Sequence, residues 1–213
     1  MVVELSLAAT LPGALVAIHY LVQVSRPKWG FISDMQGNRT KWIIIGMLIL
    51  ALGANLAALC ILLYPINASA AISLSFLAYI LIGVVVGASG TSLLALLAAH
   101  TIQRRRAAAA TITWLMMIFG IAVTATVVGA SLDPYSGQRL IKIVLALTLV
   151  TVIITIVSTF NIEKGLSSAT RNIDKSQSFI SGLRIIWANS QTKRFTIFVF
   201  LSMTAYFMQE LIL

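Results

Sequence analysis

Long apolar runs alternate with shorter polar ones along the whole chain. Apolar residues dominate at 2–24, 42–64, 70–100, 107–131, 140–160 and 195–213. Each run is close to or above the roughly 20 residues a helix needs to cross the hydrocarbon core of a bilayer. None alternates strictly between apolar and polar, and each is far longer than the about 10 residues of a barrel strand, so the pattern predicts helices. About six transmembrane helices are expected. The segment 161–194 is the longest polar interruption, with SSAT and DKSQS in its first half. Its stretch FISGLRIIW at 179–187 reads as a short amphipathic helix lying on the membrane surface. The expected organisation is a helical bundle over 1–160, a linker over 161–194 and a further span over 195–213.

Composition strengthens this picture. Of 213 residues, 59% are hydrophobic and 10% charged, where a soluble domain carries about a quarter charged. Mean hydropathy is +0.98. Too little polar surface exists to coat a globule, and the chain reads as an all-α integral membrane protein. Lys and Arg number 15 against 6 Asp and Glu, a net charge of +9. The basic residues lie in polar segments beside apolar spans, which points to anionic lipid head groups and topology rather than to nucleic acid. The lone cysteine, Cys60, sits in an apolar run and suggests neither an internal disulfide nor a metal site.

Charge is distributed unequally between alternate loops. Thirteen of the 15 basic residues fall in 25–41, 101–106 and 161–194, and only Arg139 and Lys142 fall on the other side. The positive-inside rule assigns the three basic segments to the cytoplasm or stroma. The first span then runs inward and the sixth outward, with both ends of the sequence outside.

The segment RPKWGFISDMQGNRTK at 26–41 reads as a polar loop in which Gly30, Asp34, Gly37, Arg39 and Lys41 recur as G-x-x-x-D-x-x-G-x-R-x-K. Its glycines permit tight turning. Asp34 can accept hydrogen bonds from a helix amino terminus, and Arg39 and Lys41 can anchor at head groups. This spacing resembles the loop between the second and third membrane helices of major facilitator superfamily transporters. The resemblance implies a cytoplasmic gate with two arrangements and a partial facilitator fold equivalent to helices 2–7 of twelve, with 161–194 linking the two halves.

Gly83, Gly87 and Gly90 form a small-residue face suited to close helix packing. The span that carries them has no basic residue before His100, and IFGIAVTATVVG at 118–129 lacks the glycine-and-proline signature of drug antiporters. Both observations argue against proton-driven export of small solutes. Glu4, His19, Gln23, Asn55, Lys142, Gln209 and Glu210 are the polar residues within the spans, costly in lipid and therefore candidates for function. No enzyme signature is present: no paired intramembrane aspartates, no Ser/His constellation, no phosphate loop and no Cys/His metal spacing.

Several stretches together narrow the family. HYLVQVSRPKWGFISD at 19–34, GTSLLALLA at 90–98, RRRAAAATITWLMM at 104–117, LDPYS at 132–136 with Arg139 and Leu140, and FLSMTAYFMQELIL at 200–213 resemble the PucC-like, or bacteriochlorophyll delivery, branch of the superfamily. That resemblance implies a factor that holds or delivers chlorophyll or bacteriochlorophyll during light-harvesting complex assembly. Its partners would be light-harvesting or reaction-centre polypeptides, in a bacterial photosynthetic membrane or thylakoid. A neutral imidazole or an amide can ligate the magnesium of a chlorin, which makes His19, Gln23 and Gln209 the candidate pigment contacts. The same His19 can instead be a hydrogen-bonded structural residue. Other readings of the same fold are a small-solute carrier and a fixed subunit of a photosynthetic complex.

Overall fold

The computed structural model describes residues 10–36, 39–160, 162 and 179–212, leaving out the side chains of 34–36, 183, 185–186, 203 and 206–212. Two compact units are formed, Met1–Ala169 and Thr170–Leu213. Every regular element among the described residues is helical.

The first unit contains α1 (Thr10–Gln23), α2 (Arg26–Gln36), α3 (Arg39–Leu63), α4 (Ala68–His100), a 3-10 turn (Gln103–Arg105), α5 (Arg106–Ser131) and α6 (Gly137–Thr159). Among the described residues, four stretches are long and apolar enough to cross a membrane: α3, α4, Gln103–Ser131 and α6. α1 is a shorter apolar helix. One expectation changes in kind, because most of the polar segment at 25–41 is not a loop. Pro27 occupies the first turn of α2, where its missing N–H is no loss, and Gly30 lies inside the helix. Gly37 and the Asp34 side chain fall outside the described residues.

Helix boundaries follow from local chemistry. Asn67 caps α4, its side-chain oxygen accepting from Ala70 N at 3.1 Å. Ser136 caps α6 by accepting from Arg139 N at 3.1 Å. The Arg139 guanidinium donates to the carbonyls of Asp133 and Pro134 at 2.9 and 3.0 Å. One of the two basic residues outside the three basic segments thus staples its own loop.

α4 packs against α1, α2 and above all α3, and α6 packs against α3. The buried positions of α4 are mostly Ala, Gly and Ser, as expected where helices associate by close contact without a hydrophobic drive. α3 meets α4 through glycines two turns apart. A Cβ at Gly46 would stand 2.7 Å from Ser89 Cβ, and one at Gly53 would stand 2.9 Å from Ile82 Cγ1. The pairs 46/89 and 53/82 share one antiparallel register.

Several polar groups of this bundle find partners within it. Ser75, Ser92, Thr151, Thr155 and Thr159 donate to carbonyls four residues earlier on their own helices, the bond open to a hydroxyl where no water is present. Asn55 Nδ2 donates to Ala51 O at 2.8 Å and across to Thr148 Oγ1 on α6 at 2.9 Å. α5 differs from its neighbours in having no buried residue.

The second unit contains α7 (Phe179–Ala188) and α8 (Ser190–Ile212). Asn189 joins them, its side-chain oxygen accepting from Gln191 N and Thr192 N. Lys193 Nζ lies 5.9 Å from the centre of the Trp187 ring. The sixth expected apolar segment falls on α8.

The Asn55–Thr148 bond generates a test. Interhelical hydrogen bonds in membrane proteins average about 0.6 kcal/mol and reach about 1.7. A double-mutant cycle of Asn55→Leu and Thr148→Val, read by detergent-induced unfolding, gives a coupling of that size. Strictly additive effects would show that the pair does not hold α3 to α6.

Candidate functional site

The residues singled out by chemistry converge where α1 and α2 lie on α4. α1 ends in a break at Val24 and Ser25. Ser25 Oγ donates to Val22 O at 2.7 Å and accepts from Trp29 Nε1 at 3.0 Å. Trp29 in turn lies against Trp42 of α3, with ring centroids 5.9 Å apart. Together these contacts fix the angle at which α2 leaves α1.

His19, Gln23 and Arg26 lie four and three residues apart and form one hydrogen-bonded chain. Arg26 Nη2 donates to Gln23 Oε1. Gln23 Nε2 stands 2.6 Å from His19 Nε2. A guanidinium can only donate, so the Gln23 oxygen must accept and its amide nitrogen must donate onward. Gln23 thus bridges His19 and Arg26. The other ring nitrogen, Nδ1, is buried beside the Tyr79 backbone of α4. The Tyr20 ring stands edge-on to His19 at 5.2 Å. Partial burial lowers the Arg26 pKa from its usual value.

α4 presents bare backbone to this chain. A Cβ at Gly83 would lie 2.7 Å from the His19 carbonyl oxygen and 3.3 Å from Val22 Cβ. One at Gly87 would lie 3.2 Å from Arg26 Cγ, so the arginine stem crosses that glycine. One turn further, Gly30 of α2 meets Thr91 Cγ2 at 2.8 Å by the same measure. Gly90 differs from its neighbours, since a Cβ there would meet nothing within 4 Å. Close packing in this seam belongs to Gly83, Gly87 and Gly30.

Arg39 and Lys41 sit in the first turn of α3. Lys41 is exposed, and Arg39 Nη1 reaches the Ala95 carbonyl of α4 at 3.4 Å. Ser33 is fully buried on α2, and neither its hydroxyl nor that of Thr40 has a hydrogen-bond partner. Of the expected gating residues, Gly30 and Arg39 thus touch α4. Gln209 falls on α8 with its side chain outside the described residues.

In the seam, His19 and Gln23 are taken up by contacts within the bundle. One nitrogen of His19 is occupied by Gln23 and the other is enclosed, so neither is open to a magnesium ion. Gln23 is held at both ends of its amide. Among the described residues, no group of three His, Cys, Asp or Glu side chains is placed to hold a metal. What the arrangement can do is couple the end of α1 to α2 and α4. Arg26 was visible in the sequence only as a basic loop residue. Its spacing of seven from His19 would have marked it, had helix been expected on both sides of Ser25.

The whole chain, residues 1–213, matches the family model described as PUCC protein. Over 213 residues it is 58% identical to the bacteriochlorophyll synthase 44.5 kDa chain of Rhodobacter capsulatus. The match takes in all of this chain and 50% of that protein, so the chain spans about half the length of the curated relative it matches. No solved structure matches.

The glycine seam is open to direct test. Gly83→Ala forces a methyl group against the His19 carbonyl and costs about 1–3 kcal/mol, the usual penalty for overpacking. Gly90→Ala, with open space before it, stays within about 0.5 kcal/mol of the parent. Unfolding of the three proteins in one detergent checks the order. Equal stability of the two variants would contradict the seam.

Proposed function

The chain belongs to the PUCC protein family, and from that premise we propose that it is a membrane factor for supplying (bacterio)chlorophyll to light-harvesting complexes during their assembly. The observation that carries this reading is the 58% identity, over the whole chain, to a protein whose name contains bacteriochlorophyll. The apolar helices support a site of action within the photosynthetic membrane. The charge distribution supports placing 25–41, 101–106 and 161–194 on the cytoplasmic or stromal side. The partners proposed are newly made light-harvesting or reaction-centre polypeptides, and the bundle is taken as part of a facilitator-type fold.

The role is read as handling rather than synthesis. The word synthase in the relative's name belongs to that protein, and the sequence offers no constellation for nucleophilic, metal-assisted or phosphoryl chemistry. The His19–Gln23–Arg26 chain is assigned to holding α1 and α2 on α4, not to ligating pigment. Gly30 and Arg39, in contact with α4, are assigned to the seat on which Asp34, Gly37 and Lys41 would complete a gate.

The test is an absorption spectrum of the gently purified protein, with bound pigment and copurifying polypeptides identified. The expected result is a chlorin band that survives purification, together with antenna subunits. His19→Ala is expected to lower stability without moving the pigment band. A colourless preparation free of antenna polypeptides would overturn the pigment reading.

A further inference from the structure

The far end of α4 carries a second feature, separate from the glycine seam. A cavity of about 220 Å³ lies between the end of α4 and the start of α5, lined by Leu94, Leu97, Ala98, Thr101, Arg106 and Ala110. Four of the six are purely apolar. Arg106 is tethered there, its Nε donating to the Thr101 carbonyl at 3.3 Å, and its two terminal nitrogens have no recorded partner among the described residues. Arg104 and Arg105 form the adjoining 3-10 turn, exposed, with no carboxylate on either among the described residues.

The surrounding charge is of one sign. No Asp or Glu occurs between Asp34 and Asp133, so three consecutive arginines and an exposed His100 stand on helices that contain no acid. The turn joins two helices of membrane-crossing length, which places it at head-group depth. The size of the cavity selects further. Pockets for drug-sized ligands run from roughly 300 to 1,000 Å³, and this apolar cleft of about 220 Å³ suits a length of hydrocarbon chain. α5 has no buried residue, and its first turns do not close on α4.

We propose that this cleft is a binding site for one anionic phospholipid, with an acyl chain against Leu94, Leu97 and Ala110 and the phosphate on Arg104, Arg105 and Arg106. Guanidinium groups bind phosphate through paired, charge-assisted hydrogen bonds. The lipid fills the gap between two helices that do not pack on each other, and it ties the start of α5 to the bundle. This site is narrower than the general attraction of basic loops for a charged surface. It requires only that the chain lies in a membrane, whatever pigment it handles.

Native mass spectrometry of the delipidated full chain tests it, by titration with phosphatidylglycerol or phosphatidylcholine of the same acyl chains. The expected result is one tightly retained phosphatidylglycerol, bound about tenfold more strongly than phosphatidylcholine, the effect of a hydrogen bond to a charged group. Arg106→Gln removes about that factor. Leu97→Trp, which fills the cleft, abolishes retention, while Lys28→Gln on α2 leaves it unchanged. Glycerol phosphate, which has the anion without the chains, fails to compete. Equal retention of the two lipids by the parent protein overturns the site without recourse to any variant, and would leave the arginines to an acidic protein partner. Competition by glycerol phosphate also overturns it, as the mark of a simple anion site. Loss of affinity with Lys28→Gln equal to that with Arg106→Gln overturns it as diffuse electrostatics.

Discussion

Helices in lipid gain little from hiding apolar side chains from one another, because the lipid tails are equally apolar. What holds them is how closely their backbones approach, and in this chain that distance is set on α4. Gly83 admits the carbonyl of His19, and Gly87 admits the stem of Arg26. On the other side, Ser89 and Ile82 receive Gly46 and Gly53 of α3. The two seams use different faces of one helix, so α4 can hold α1 and α2 independently of its grip on α3. The buried residues of α4 are spread over both faces, which explains why its sequence shows no single apolar stripe.

Polar residues inside the bundle follow from the same closeness. Once α1 lies on Gly83, His19 is half-buried against α4, with its Nδ1 enclosed. Gln23 and Arg26 supply one partner; the other nitrogen stays beside the Tyr79 backbone. A residue marked by its cost in lipid thus also takes part in the packing. Pigment handling rests on family membership and on the relative named for bacteriochlorophyll. α5, bare of buried residues, lies outside the tightly packed part of the first unit.

Much of the fold was legible in the sequence, and the gaps have physical causes. The runs at 42–64, 70–100, 107–131 and 140–160 were long enough that any helix there had to match the bilayer, and α3 to α6 fall on them within a few residues. The segment 26–36 has the composition of a loop but is the helix α2. Pro27, Gly30 and Asp34 are turn-formers by local propensity, and nothing nearby in sequence shows that Gly30 is small because Thr91 lies over it. Gly90 shows the converse. It shares the spacing of Gly83 and Gly87, yet periodicity does not reveal whether anything stands opposite. Asn55 was marked as a costly polar group, but its partner Thr148 is 93 residues away in sequence and could not be identified from it.

The claim on which the rest depends is that α4 holds its neighbours through two separate glycine contacts. Hydrogen–deuterium exchange of Gly83→Leu against the parent protein, in matched lipid discs, tests it most directly. The account predicts faster exchange confined to residues 10–36, with α3, α4 and α6 protected as before, because the Gly46 and Gly53 contacts are untouched. Loosening spread evenly over α1 to α6, or no change in α1 and α2, would contradict it.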